Sequence, residues 1–149
     1  MTNTRSVARA KAPWRLWVVG ILAVLWNAVG VLDYLMTETR NASYMSVFTP
    51  EQLAYFNGLP KWIIATWAIG VWGGLLGSLL ILLQRRRAVQ VLTVSLLSAA
   101  VTFFYNFVLS DGLRVMGGAA ALLMPAVVIV VAILLLIYSR QAAQSGRLR

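Results

Sequence analysis

Segments 16–32, 62–83, 88–110 and 115–139 contain no charged residue and are almost continuously apolar. About 20 helical residues cross a hydrocarbon core of about 30 Å, so each segment is long enough to span a bilayer. Backbone groups in lipid must find partners within their own segment, which makes each span a helix. The short alternation of apolar and polar residues that marks a membrane β-barrel is absent from all four. The predicted fold is therefore all-α: one polytopic domain over 1–149, with a four-transmembrane-helix bundle and spans at about 14–36, 61–83, 88–110 and 115–139.

Composition agrees, since 11% of the 149 residues are charged against about 25% in an ordinary soluble domain. There is no cysteine and no histidine. That excludes disulfides, Ser-His-Asp and Cys-His triads and ordinary zinc sites. Only Asp33, Glu38, Glu51 and Asp111 could act as acids, bases or metal ligands, and no spacing pairs them. The expectation is a protein that is not an enzyme and carries no cofactor or metal. The first apolar stretch follows a basic segment, yet it is too long for a signal-peptide core and no small-residue cleavage site follows. It reads as a retained span.

Ten of the 13 basic residues lie in three places: before the first span (Arg5, Arg9, Lys11, Arg15), between the second and third (Arg85, Arg86, Arg87), and after the fourth (Arg140, Arg147, Arg149). All four acids lie in the other connections or the adjoining span ends. The positive-inside rule puts both termini, with basic tails at 1–13 and 140–149, in the cytoplasm. The net charge of +9 then reports topology and contact with lipid headgroups, not nucleic-acid binding.

Connections at 84–87 and 111–114 are short and imply antiparallel neighbours. The outer connection, 37–60, is the long one. Within it Thr49-Pro50-Glu51-Gln52 has the form of a capping box with proline at the first helical position. Asn57-Gly58 supplies a stop. A short interfacial helix is expected at about 50–57, either anchored at the membrane surface or lying over an outward pocket. The Asn41-Ala42-Ser43 sequon is read as incidental.

Gly70, Gly73, Gly74 and Gly77, with Ser78, give the second span a small-residue stripe for close helix packing. The partner is expected within the chain. Pro125 is expected to kink the fourth span. Polar residues inside the spans face a bundle interior or a cavity. Among them are Asn27 in the first span and Ser95, Ser98, Thr102 and Asn106 in the third. Asn27, Gly30 and Tyr34 share a helix face, which is expected to meet the third-span stripe. Two readings stand side by side. In one, these groups only hydrogen-bond between helices. In the other, Trp26, Asn27, Asp33, Tyr34, Trp67, Trp72, Thr102, Tyr105 and Asn106 line a small pocket for a neutral polar solute such as a sugar. Trp14, Trp17, Trp62 and Tyr138 suit an interfacial aromatic belt.

Several motifs carry a family likeness. They are Leu25-Trp26-Asn27, Asp33-Tyr34-Leu35-Met36-Thr37, Thr39-Arg40-Asn41, Phe48-Thr49-Pro50-Glu51-Gln52-Leu53, Trp67-Ala68-Ile69-Gly70-Val71-Trp72-Gly73-Gly74 and Tyr105-Asn106-Phe107. Together they resemble a group of small, uncharacterised four-span bacterial inner-membrane proteins, some automatically named "sugar transporter". The resemblance implies a bacterial inner membrane and a sugar-like solute. The alternative function is a non-catalytic accessory or scaffold subunit of a larger membrane complex. Expected partners are the lipid bilayer, a small polar solute, and further copies of the chain or other subunits.

Overall fold

The computed structural model describes residues 14–149, so the basic segment 1–13 with Arg5, Arg9 and Lys11 lies outside the described residues. The described chain is all-α, with no strand. Its helices are α1 (Trp14–Glu38), α2 (Ala42–Met45), α3 (Pro50–Asn57), α4 (Lys61–Leu82), α5 (Ala88–Phe104), α6 (Gly112–Val115) and α7 (Leu123–Gln144). A π-helical turn, Tyr105–Leu109, continues α5, and a 3-10 turn, Gly118–Leu122, leads into α7. Four of these rods are long and apolar enough to cross a membrane: Trp14–Glu38, Lys61–Leu82, Ala88–Leu109 and Gly118–Gln144.

The glycine stripe explains why α4 sits at the centre, packed against both α1 and α5. On the α5 side, a methyl group at Gly73 would come within 3.0 Å of Ser95 Cβ, and one at Gly70 within 3.4 Å of the Ala99 backbone nitrogen. Gly77 abuts the Leu92 side chain. Gly74 faces α1, where a methyl group would run into the Asn27 side-chain oxygen. Absent side chains let the helix backbones approach closely, and dispersion contacts then replace contacts with lipid. α7 packs on α5. At the end carrying Arg85, Arg86 and Arg87, the four long helices share an apolar core built on Leu16, Ile81, Leu92, Leu135 and Leu136.

Three helices end in the same way. Beyond α1 the Asn41 N–H donates to Met36 O, beyond α4 the Arg85 N–H donates to Leu80 O, and beyond α7 the Arg147 N–H donates to Ala142 O. This closure needs one left-handed residue. Gly146 supplies it after α7, whereas Arg40 (φ 52°) and Gln84 (φ 54°) supply it after α1 and α4 at a steric cost glycine avoids.

Three local features depart from expectation. The fourth span does not begin at Val115. Val115 ends the four-residue α6, and Gly117 (φ 107°) and Gly118 (φ 74°) break the chain before the 3-10 turn. Pro125 lies in the first turn of α7 just after that 3-10 turn, where a missing N–H removes no bond of the α7 ladder. It eases entry into the helix in place of kinking its middle. Finally, 140–144 are helical, and the chain after Gly146 folds back: Arg149 N–H donates to Gln84 O and Arg86 N–H to Arg149 O, both at 2.7 Å, with Leu148 buried in the core.

Candidate functional site

The polar residues of the spans form two groups, the first centred on α4 and the second on the far end of α5. In the first, Asn27 of α1 donates from Nδ2 to Ser78 Oγ (3.1 Å) and to its own-helix Ala23 O (2.8 Å). Ser78 donates to Gly74 O (2.8 Å), and Ser95 of α5 reaches across to Gly70 O (2.6 Å). Asn27, Ser78 and Ser95 therefore stitch α1, α4 and α5 together around Gly74. The Asn27–Gly30–Tyr34 face meets α4, not the third-span stripe: Gly30 lies against Val71, and Tyr34 stacks edge-on against Trp67 with centroids 5.0 Å apart.

The second group lies near the α3 end of α5. Thr66 and Thr102 hydroxyls are 3.0 Å apart, which joins α4 to α5. One turn on, Asn106 Nδ2 donates to Thr102 O (2.8 Å), and Ser110 Oγ lies 3.0 Å from Asn106 O. These side chains bond to helix carbonyls where α5 widens into its π turn, a deformation that often accompanies function. The Tyr55 hydroxyl on α3 donates to Asn106 Oδ1 (2.7 Å) and also lies 2.7 Å from Ser110 Oγ. Gly112 is obligatory beside it, since a side chain there would strike the Asn106 carbonyl and the Tyr55 hydroxyl. Gln52 adds a bond to Val115 O (3.4 Å), and exposed Glu51 pairs with Arg114 (2.8 Å).

The capping box of α3 is complete, with Thr49 Oγ1 accepting from the Gln52 N–H and Gln52 Oε1 accepting from the Thr49 N–H. The preceding α2 was not legible as a helix. Its cap is Asn41, whose Oδ1 accepts from the Tyr44 N–H (3.1 Å). Tyr44 then donates its hydroxyl to Asp33 Oδ1 near the end of α1. Burial, reinforced by that carboxylate, pushes the Tyr44 phenol up to about 12. Burial also raises Tyr55. Tyr44, Phe48 and Phe56 stack in sequence, with centroids 5.6 and 5.3 Å apart. α2 and α3 thus form a fastened cover over one end of the bundle.

Beneath that cover is an open cleft of about 280 Å³ between the end of α1, α3 and the start of α4. Thr37, Glu38, Arg40 and Asn57 give it hydroxyl, carboxylate, guanidinium and amide groups, and Met45 and Phe56 give it apolar wall. None of the nine residues expected to line a solute pocket lines this cleft. The structure divides those nine. Asn27, Thr102 and Asn106 serve in the interhelix bonds, Asp33 holds Tyr44, Tyr34 and Trp67 pair with each other, and Tyr105 stacks on Trp62 (5.3 Å). Trp26 and Trp72 are exposed on the helix surface. Among the described residues, the Tyr138 hydroxyl is the one buried side-chain polar atom without a protein partner.

Four membrane-length apolar helices joined by these interhelix bonds define a multi-pass integral membrane protein. No family model, curated protein or solved structure matches the chain.

Proposed function

We propose that this chain is a non-catalytic, small-solute-binding protein of the bacterial inner membrane. Its site is the cleft under α2–α3, and that site admits a sugar-like solute to transport. The observation that carries the reading is the lining of the cleft. Glu38 accepts, Arg40 donates, and Thr37 and Asn57 can do both, while Phe56 offers an aromatic wall. Few, placed polar groups beside apolar surface are the usual make-up of a small-molecule site. Hydroxyls of a polyol match the first set and its C–H face matches the second.

The charge distribution supports an orientation with both termini cytoplasmic and the cleft outward. Arg15, Arg85, Arg86, Arg87, Arg140, Arg147 and Arg149 lie at one end, and all four acids at the other.

A second reading, an accessory or scaffold subunit of a larger complex, is favoured by a separate observation. The intramembrane amides and hydroxyls of Asn27, Thr102 and Asn106 are occupied by neighbouring helices, which leaves them building a rigid support. Equilibrium binding of radiolabelled hexoses and pentoses to the full chain in lipid nanodiscs separates the two. Saturable binding that Arg40→Gln weakens at least 10-fold supports the solute site. Absence of binding to every sugar, together with recovery of a stable heteromeric complex from native membranes, supports the scaffold.

A further inference from the structure

The arginine end carries a second recess, independent of the solute cleft. It lies between the start of α5 and the end of α7, has a volume of about 490 Å³, and is lined by Arg86, Arg87, Gln90, Arg140 and Gln144 with small apolar walls from Val89 and Ala143. No acidic side chain lies beside these arginines, because Asp33, Glu38, Glu51 and Asp111 all sit at the opposite end of the helices. Three guanidiniums and two amides around one recess make a donor-rich site for a singly charged, multi-oxygen anion.

The recess is held in shape from below. The returning chain bonds to both sides of the arginine loop, through Arg149 N–H to Gln84 O and Arg86 N–H to Arg149 O, and buried Leu148 fixes it to the core. Arg86 therefore projects from an anchored backbone. Above the recess the helix faces turn apolar. The Gln90 face of α5 continues through Val94, Leu97 and Val101, and the Gln144–Arg140 face of α7 continues through Ile137 and Ile133. All five are exposed.

From this polar-then-apolar sequence we infer that the recess binds the phosphodiester headgroup of an anionic phospholipid, with its acyl chains running along the α5 and α7 faces toward the membrane centre. Basic recesses between transmembrane helices are suited to such headgroups. A free phosphate would use the arginines equally well but would gain nothing from the apolar faces. The lipid would bridge α5 and α7 at the end where the core already joins all four helices.

The test is native mass spectrometry of the full chain in mild detergent, titrated with phosphatidylglycerol, phosphatidylcholine or inorganic phosphate. Two charge-matched variants are compared, Arg86→Gln/Arg140→Gln in the recess and Arg85→Gln/Arg147→Gln outside its lining. The expected result is phosphatidylglycerol bound at least 10-fold more tightly than phosphatidylcholine. The recess variant should weaken it roughly 20-fold, while the outside variant changes it less than 3-fold and millimolar phosphate fails to displace it. Equal loss in both variants would show bulk charge and no site. Equal affinity for the two lipids, or ready displacement by phosphate, would also overturn the assignment.

Discussion

Tyr55 on α3 and Asn106 in the π turn of α5, 51 residues apart in sequence, are joined by a 2.7 Å hydrogen bond from the phenol to the amide oxygen. The bond fastens an extramembrane helix to a deformed turn of a transmembrane one. It also gives Asn106 a reason to sit where it does, since its Nδ2 is already committed to Thr102 O.

A double-mutant cycle with Tyr55→Phe and Asn106→Ala should therefore report coupling. Interhelix bonds in membrane proteins average about 0.6 kcal/mol and reach about 1.7. A value within that range is expected here, since the Tyr55–Ser110 contact is present with or without the Asn106 amide and cancels in the cycle. Unfolding of the four proteins in mixed micelles measures it, and strictly additive effects would show the bond to be energetically idle.

Gly74→Ala should destabilise the bundle by about 1–3 kcal/mol through overpacking against Asn27. Asn27→Ala removes the obstructing oxygen, so the double variant should be more stable than Gly74→Ala alone. The same unfolding assay decides this. A double variant that loses the sum of both effects would mean that the α1–α4 approach at Gly74 is not as close as described.

Tyr44 gives a pH dependence of definite sign. Its folded pKa, about 12, lies above the ordinary phenol value of 10.0. Its contribution to holding α2 on α1 is therefore complete below about pH 10 and lost as pH rises toward 12. Tyrosinate absorbance should show a late phase that disappears in Tyr44→Phe. In Asp33→Asn, where no carboxylate opposes ionisation, that phase should move to lower pH. A late phase unchanged in both variants would assign it to another tyrosine.

Arg40 separates stability from binding. Arg40→Gly relieves the left-handed strain after α1 and should leave the fold unchanged or up to about 1 kcal/mol more stable. The same change removes the guanidinium from the cleft and should weaken solute binding. Thermal unfolding read beside hexose affinity checks both halves, and a variant that loses stability along with binding would contradict the separation.

The helical spans and the α3 cap were readable because bilayer thickness and capping chemistry each act over a few neighbouring residues. Pro50 and Gln52 announce the helix that begins at Pro50. The apolar character of 115–139 hides a break in the helix that depends on the backbone at Gly117 and Gly118. The surroundings of the polar residues are less legible for the same kind of reason. Residues such as Asn27 and Asn106 stand out in sequence by being polar among apolar neighbours, yet what they meet is set by tertiary packing. Ser78 and Tyr55 satisfy them. The cleft is built from Thr37, Glu38, Arg40 and Asn57, whose polarity is unremarked in a loop. One local signal was present: Arg40 falls where α1 must stop, a position glycine usually takes.

Hexose affinity of Arg40→Gln and Asn27→Ala, measured side by side in nanodiscs with the full chain, tests the division of labour between the cleft and the intramembrane polar groups. Arg40→Gln is expected to lose binding at least 10-fold, and Asn27→Ala, while less stable, to bind within about 3-fold of the unaltered protein. Loss of binding in a folded Asn27→Ala with full affinity in Arg40→Gln would contradict that division and return the solute to the interior of the bundle.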